Sequence, residues 1–115
     1  MLLKEDKICL QYMCDPAKEA LSFLEGRSRS ELDNQRMLVL SLVKLIEIIG
    51  EAASRVTDKT RKQYAEIPWV NIIAMRNRLI HAYYDVDLNI LWGTMTDDLP
   101  PLINTLEMIL TRKHS

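Results

Sequence analysis

The sequence predicts an all-α fold, an antiparallel bundle of four to five helices, and three observations carry that prediction. Apolar residues recur at three- and four-residue spacing along nearly the whole chain. Only 3 glycines and 4 prolines occur in 115 residues, too few turn-formers for a sandwich or a barrel. The breaks between periodic stretches are short, as a bundle requires. The length suits one domain, residues 1–115. A chain of this size buries roughly 65% of the surface its unfolded form exposes, and a 48% hydrophobic content can fill one core.

The elements follow in order. A first helix is expected over about residues 3 to 13. Asp15-Pro16 then suits an N-cap followed by proline at the first helical position, opening a second helix to about Glu25, with Gly26 as left-handed C-cap. Ser30, with Asp33 three residues on, is expected to cap a long third helix. Its stripe is Leu32, Val39, Ile46 and Ala53, widened by Leu38, Leu42, Leu45, Ile49, Ala52 and Val56. Lys44, Glu47, Glu51 and Arg55 form its polar face, with Glu51 and Arg55 in the favourable i, i+4 order. Gly50 costs about 1 kcal/mol against alanine in mid-helix, and close helix–helix approach is a reason to keep it. Residues 57 to 68 are polar and fit a loop holding a short helix. Pro68 opens a fourth helix from Trp69 to about Tyr84. Asp87 caps the last helix, whose stripe runs from Leu88 to Leu110 and which must kink or restart at Pro100-Pro101.

Charge narrows the function. Fifteen Lys plus Arg against 16 Asp plus Glu leave a formal charge of -1, so any nucleic-acid contact needs a local basic arrangement. Cys9 and Cys14 have neither zinc spacing nor a geometry for a helix-internal disulfide, and are expected to be free thiols of a reducing compartment. No apolar run approaches the ~18 residues of a membrane span, and Met1-Leu2-Leu3-Lys4 leads straight into charged residues, so a cytoplasmic protein without signal peptide is expected. No Glu-x-x-His pair of the di-iron kind occurs, and no metal or cofactor is expected. The methionines are expected to fill the core.

The stretch with chemical content is Ile67 to Tyr84. On a continuous helix, Trp69, Ile72, Ile73, Met75, Leu79 and Tyr83 form an apolar arc. Asn77 and His81, four apart, stack on one side, with Arg76 between that pair and the arc and Tyr84 at its border. A histidine titrates near neutral pH and can move protons. An arginine can hold a phosphate bidentately and offset charge in a transition state. An asparagine can orient the histidine or donate to phosphate. The set suits RNA cleavage by a 2′-hydroxyl, but on chemistry alone a satisfied hydrogen-bond network between helices is the commoner use of such residues.

Arg76-Asn77-Arg78-Leu79-Ile80-His81-Ala82-Tyr83 resembles the HEPN ribonuclease motif in its HepT-type form: arginine, four residues, histidine, one residue, tyrosine. Ile49-Gly50-Glu51-Ala52, Ile67-Pro68-Trp69, Tyr84-Asp85-Val86-Asp87 and Trp92 agree with that family in order, so the resemblance covers roughly residues 30 to 110. It implies a HEPN-type bundle that forms a homodimer through the motif helix, with one composite cleft. It implies a metal-independent endoribonuclease that leaves a cyclic phosphate, with Arg76 on the phosphate, His81 in proton transfer, Asn77 orienting, and Arg76 and Arg78 contacting RNA. Such proteins act as toxins beside a nucleotidyltransferase-fold antitoxin that transfers AMP to the motif tyrosine, here Tyr83, with Tyr84 next in line. As a bare residue, a tyrosine in the place of Tyr83 more often packs in a core than accepts a modification. The competing expectation is a non-catalytic HEPN module that binds nucleotide, RNA or the nucleotidyltransferase.

Overall fold

The computed structural model describes residues 2–82 and 85–112. The chain is an all-α bundle. α1 (Lys4–Leu24), α2 (Arg36–Ser54), α3 (Asp58–Gln63), α4 (Trp69–Leu79), α5 (Leu88–Gly93) and α6 (Leu99–Thr111) follow in order, α5 and α6 joined by a π-helical segment at Thr94–Asp98. Helix α1 packs on α2 and α6, and α2 packs on α4. No helix among the described residues is long and apolar enough to cross a membrane.

The core follows the sequence stripes. Leu32, Val39, Ile46 and Ala53 are all buried, with Leu42, Leu45, Ile49, Ala52 and Val56 beside them. Leu91, Met95, Leu99, Ile103 and Leu106 supply the opposite wall. Met13, Met75 and Met95 fill the core as expected, whereas Met37 and Met108 lie on the surface. Gly26 takes a positive φ of 75° just past α1, the conformation a glycine adopts without strain. Asp87 caps α5, accepting from the N–H groups of Asn89 and Ile90 at 3.0 Å each. The last helix does restart at its prolines: the π-helical turn ends at Asp98, and the prolines stand in the first turn of α6, where their missing donors are not needed. Both cysteines are free thiols.

Three expectations need correction. The first two helices are one: α1 runs unbroken through Pro16. A proline inside a helix removes one hydrogen bond and crowds the preceding turn. Here Leu10, Met13, Cys14, Pro16, Ala17, Ala20 and Leu24 form one continuous buried stripe, and its packing outweighs that local cost. Secondly, α2 does not start at Ser30. Residues Arg29–Asp33 form a 3-10 turn in which the Glu31 carboxylate accepts from the Ser28 N–H, so the box sits two residues earlier, and the α-helix begins at Arg36. Arg29 holds that turn to α5 through Asn89 Oδ1 at 2.8 and 3.1 Å.

Thirdly, α4 stops at Leu79. Ile80–Ala82 (β1) is extended and pairs antiparallel with Asp85–Val86 (β2), with a register irregularity between Ile80 and Ala82. The reason is local and tertiary together. Ile80 and Val86 are β-formers that pack onto the core edge, and the Asp87 N–H reaches the Leu79 carbonyl at 2.7 Å, serving a helix-end acceptor that would otherwise lack a partner.

One end of the bundle is tied by polar contacts around α3. Thr57 caps α3, and Asp6 of α1 accepts from the Thr57 N–H and from the hydroxyls of Thr57 and Thr60. Arg61 donates to the carbonyls of Ala53 and Ser54 at the C-terminal end of α2. Trp69 Nε1–H reaches the carbonyls of Arg61 and Tyr64. Thus α3 brackets the end of α2 against the start of α4, which fixes the pair of helices that carry the site.

Candidate active site

Helices α2 and α4 run antiparallel and close together at Gly50. A Cβ added there would lie 3.4 Å from the Ile72 carbonyl oxygen and 3.5 Å from that of Ile73. The close approach suggested by a mid-helix glycine is therefore present. One turn back along α2 stands Glu47, and one turn forward along α4 stands Arg76. Their side chains meet: Arg76 Nε donates to Glu47 Oε1 at 2.6 Å, a charge-assisted bond.

This contact lies in an open groove of about 830 Å³ between α1, α2 and α4. Ile8 and Tyr12 of α1, Ile48 of α2 and Ile73 of α4 supply apolar lining. Lys44, Glu47, Glu51 and Arg55 of α2 and Arg76 and Asn77 of α4 supply polar groups. Arg55 pairs with Glu51 at 3.0 Å, so each carboxylate of the groove has an arginine, and Lys44 forms no ion pair among the described residues. The groove therefore carries a surplus of positive charge on a chain of nearly zero net charge, as phosphate binding would need. Cys9 also lines it; burial first, and the Asp6 carboxylate second, push its thiol pKa up, with Arg55 opposing, so it is a poor nucleophile near neutral pH.

Arg76 and Asn77 lie in the last turns of α4, where the helix dipole favours cations. Arg78 points elsewhere. It lines a smaller cleft of about 270 Å³ on the other flank of α4, with Asn71, Asp97 and Asp98, and its guanidinium reaches the Asn71 carbonyl at 3.4 Å. The structure brings Arg76 and Asn77 together in one groove and leaves Arg78 outside it. Two residues apart on a helix is about 200°, so the separation follows from helical geometry. The backbone at His81 belongs to β1, so it does not continue the helix one turn beyond Asn77. The side chain of His81 and the residues Tyr83 and Tyr84 lie outside the described residues.

Sequence reasoning placed Glu47 on the polar face of α2 and gave it no role. The signal that could have found it is the glycine: if Gly50 faces α4 near residue 73, antiparallel register sets residue 47 opposite residue 76.

A family model described as ribonuclease HepT-like matches residues 13–109. The chain belongs to that family, within the HEPN superfamily. Among HepT-like relatives, an RNase-named protein of Methanocaldococcus jannaschii is 27% identical over 109 residues, covering 95% of this chain and all of that protein. A Thermococcus cleftensis protein that carries the name ribonuclease HepT is 38% identical over 69 residues, 60% of this chain and 63% of its own. A Caldanaerobacter subterraneus protein, also RNase-named, is 27% identical over 111 residues, 96% of this chain and 99% of its own. No solved structure matches. As a HepT-like chain, the protein stands in a ribonuclease family, and the groove beside Arg76 is where its fold offers a cation, an amide and open apolar walls together.

Proposed function

We propose that this HepT-like chain is a metal-independent endoribonuclease, the toxin of a HEPN and nucleotidyltransferase pair, acting as a cytoplasmic homodimer whose motif segments face each other. The placement of Arg76 supports this reading most. Its Nε is held by Glu47 while its terminal nitrogens meet no partner among the described residues, in an open groove and five residues before His81. Those free donors suit two oxygens of a phosphodiester.

In this reading the RNA 2′-oxygen attacks the adjacent phosphorus. The O2′–P bond forms and the P–O5′ bond breaks, giving a cyclic phosphate. One His81 imidazole accepts the 2′-hydroxyl proton, and the imidazolium from the second protomer delivers a proton to the departing 5′-oxygen. Arg76 offsets the extra charge on the phosphorane, and Asn77 orients. Arg78, on the far flank of α4, serves RNA outside the cleavage site. Silencing is AMP transfer from ATP to Tyr83 by the antitoxin: the tyrosyl oxygen bonds the α-phosphorus, pyrophosphate leaves, and the phenolic proton goes to solvent. Intact mass after incubation with ATP and a nucleotidyltransferase partner tests this, since Tyr83→Phe must block the increase.

The main test is cleavage of total RNA in EDTA by the unmodified chain, beside His81→Ala and Arg76→Ala. The wild type is expected to cut, and each variant to lose about 100-fold or more with its fold intact. RNA binding without product in the wild type would replace this reading with that of a binding module.

A further inference from the structure

We propose that Glu47 is a positioning residue for Arg76, gripping the guanidinium by its Nε edge so that the two terminal nitrogens face the phosphate to be cleaved. This rests on the ribonuclease reading of the groove and adds to it the group that aims the arginine. An exposed arginine has several rotatable side-chain bonds and samples many rotamers. A group that must meet a transition state has to be held within roughly 0.5 Å of its working place. Arg76 is half-exposed and has no partner among the described residues besides Glu47, so nothing else in the groove fixes it.

The backbone supports this use of Glu47. Gly50 brings α2 against α4, and that contact sets Glu47 opposite Arg76. Lys44 lies one turn away on the same helix and is a ready partner for Glu47, yet the carboxylate reaches across to the neighbouring helix instead. Bonding at Nε occupies one donor of five and leaves the Nη1 and Nη2 edge, a bidentate fork, free. An unpaired carboxylate this near a phosphate would repel it. Bonded to Arg76 it is neutralised, and it directs the phosphate to the opposite side of the guanidinium.

The test is steady-state cleavage of a defined RNA by the full chain and by Glu47→Ala, Glu47→Gln, Arg76→Ala and the double variant Glu47→Ala/Arg76→Ala, each checked for an unchanged Tm. Glu47→Ala is expected to lose about 100-fold in kcat with little change in KM, the size of a misplaced catalytic group. Glu47→Gln keeps an oxygen for the Nε–H and is expected to recover to within about tenfold of wild type. The double variant is expected to be no slower than Arg76→Ala, because both changes remove one function. Wild-type kcat in Glu47→Ala overturns the proposal, as does a rise, which would make Glu47 a brake, or a double variant whose losses multiply. Full activity in Arg76→Ala, or a wild type that leaves RNA intact, overturns the ribonuclease reading and this inference with it. An inactive Arg76→Ala beside a fully active Glu47→Ala overturns this inference alone. If a variant fails to fold, the contact is judged by hydrogen exchange of the Arg76 Nε–H in the wild type: slow exchange upholds the grip, and exchange at the rate of a free arginine overturns it.

Discussion

A carboxylate shut away from water must find its hydrogen bonds within the protein, and Asp6, 1% exposed, finds three. Burial alone would raise its pKa, but the bonds from Thr57 and Thr60 outweigh burial and hold it below the usual carboxylate value of 3.8. The folded pKa is thus depressed. Its stabilising contribution is full above the unfolded value near 4 and is lost as pH falls through the folded value. Asp6→Ala strands the Thr60 hydroxyl, which is buried, and should cost about 3 kcal/mol. Urea denaturation at pH 7 measures that loss. A pH series below 4 should show the wild type approaching the variant, and curves that stay parallel would sink the assignment. Nothing local in the sequence marks Asp6, because its partners are 51 and 54 residues away. Arg76 and Asn77 were legible as motif residues, since their spacing is local. Their neighbour Glu47 was not, because its partner is 29 residues away.

At the scale of elements, the contact of α2 with α4 is the one on which the groove depends. A Cβ at Gly50 would meet the Ile72 carbonyl oxygen at 3.4 Å, the edge of an ordinary contact. Gly50→Ala therefore should gain up to about 1 kcal/mol of helix propensity. Gly50→Leu must push the helices apart and should lose about 2 kcal/mol, with the Glu47–Arg76 contact. Chemical denaturation of both variants checks this, and equal stability of the two would mean that the helices do not meet at Gly50. The helix ends divide by the same logic. Gly26 and Asp87 act within a few residues, and both were readable. Pro16 looked like a helix start, and only packing along the whole of α1 overrode it. The run after Leu79 looked helical by spacing, but pairing with Asp85–Val86 drew it into extended backbone.

For the whole molecule, the open face of α4 bears on the proposed dimer. Val70 is 79% exposed there and Ile73 borders the groove, so the motif helix presents apolar side chains to solvent in the single chain. If two motif helices pair, Val70→Asp should convert the dimer to monomer, seen by sedimentation velocity, and cleavage should fall with it while Tm stays near that of the monomer. A variant that remains dimeric would place the interface elsewhere. By itself the sequence determined the helical class, the buried stripes, the caps at Gly26 and Asp87 and the order of motif residues, because each depends on neighbours within about one or two turns. Tertiary structure alone decided the continuity of α1, the extended end of α4, and the grip of Glu47 on Arg76. Those outcomes depend on which distant surfaces meet, and local spacing carries no record of that energy.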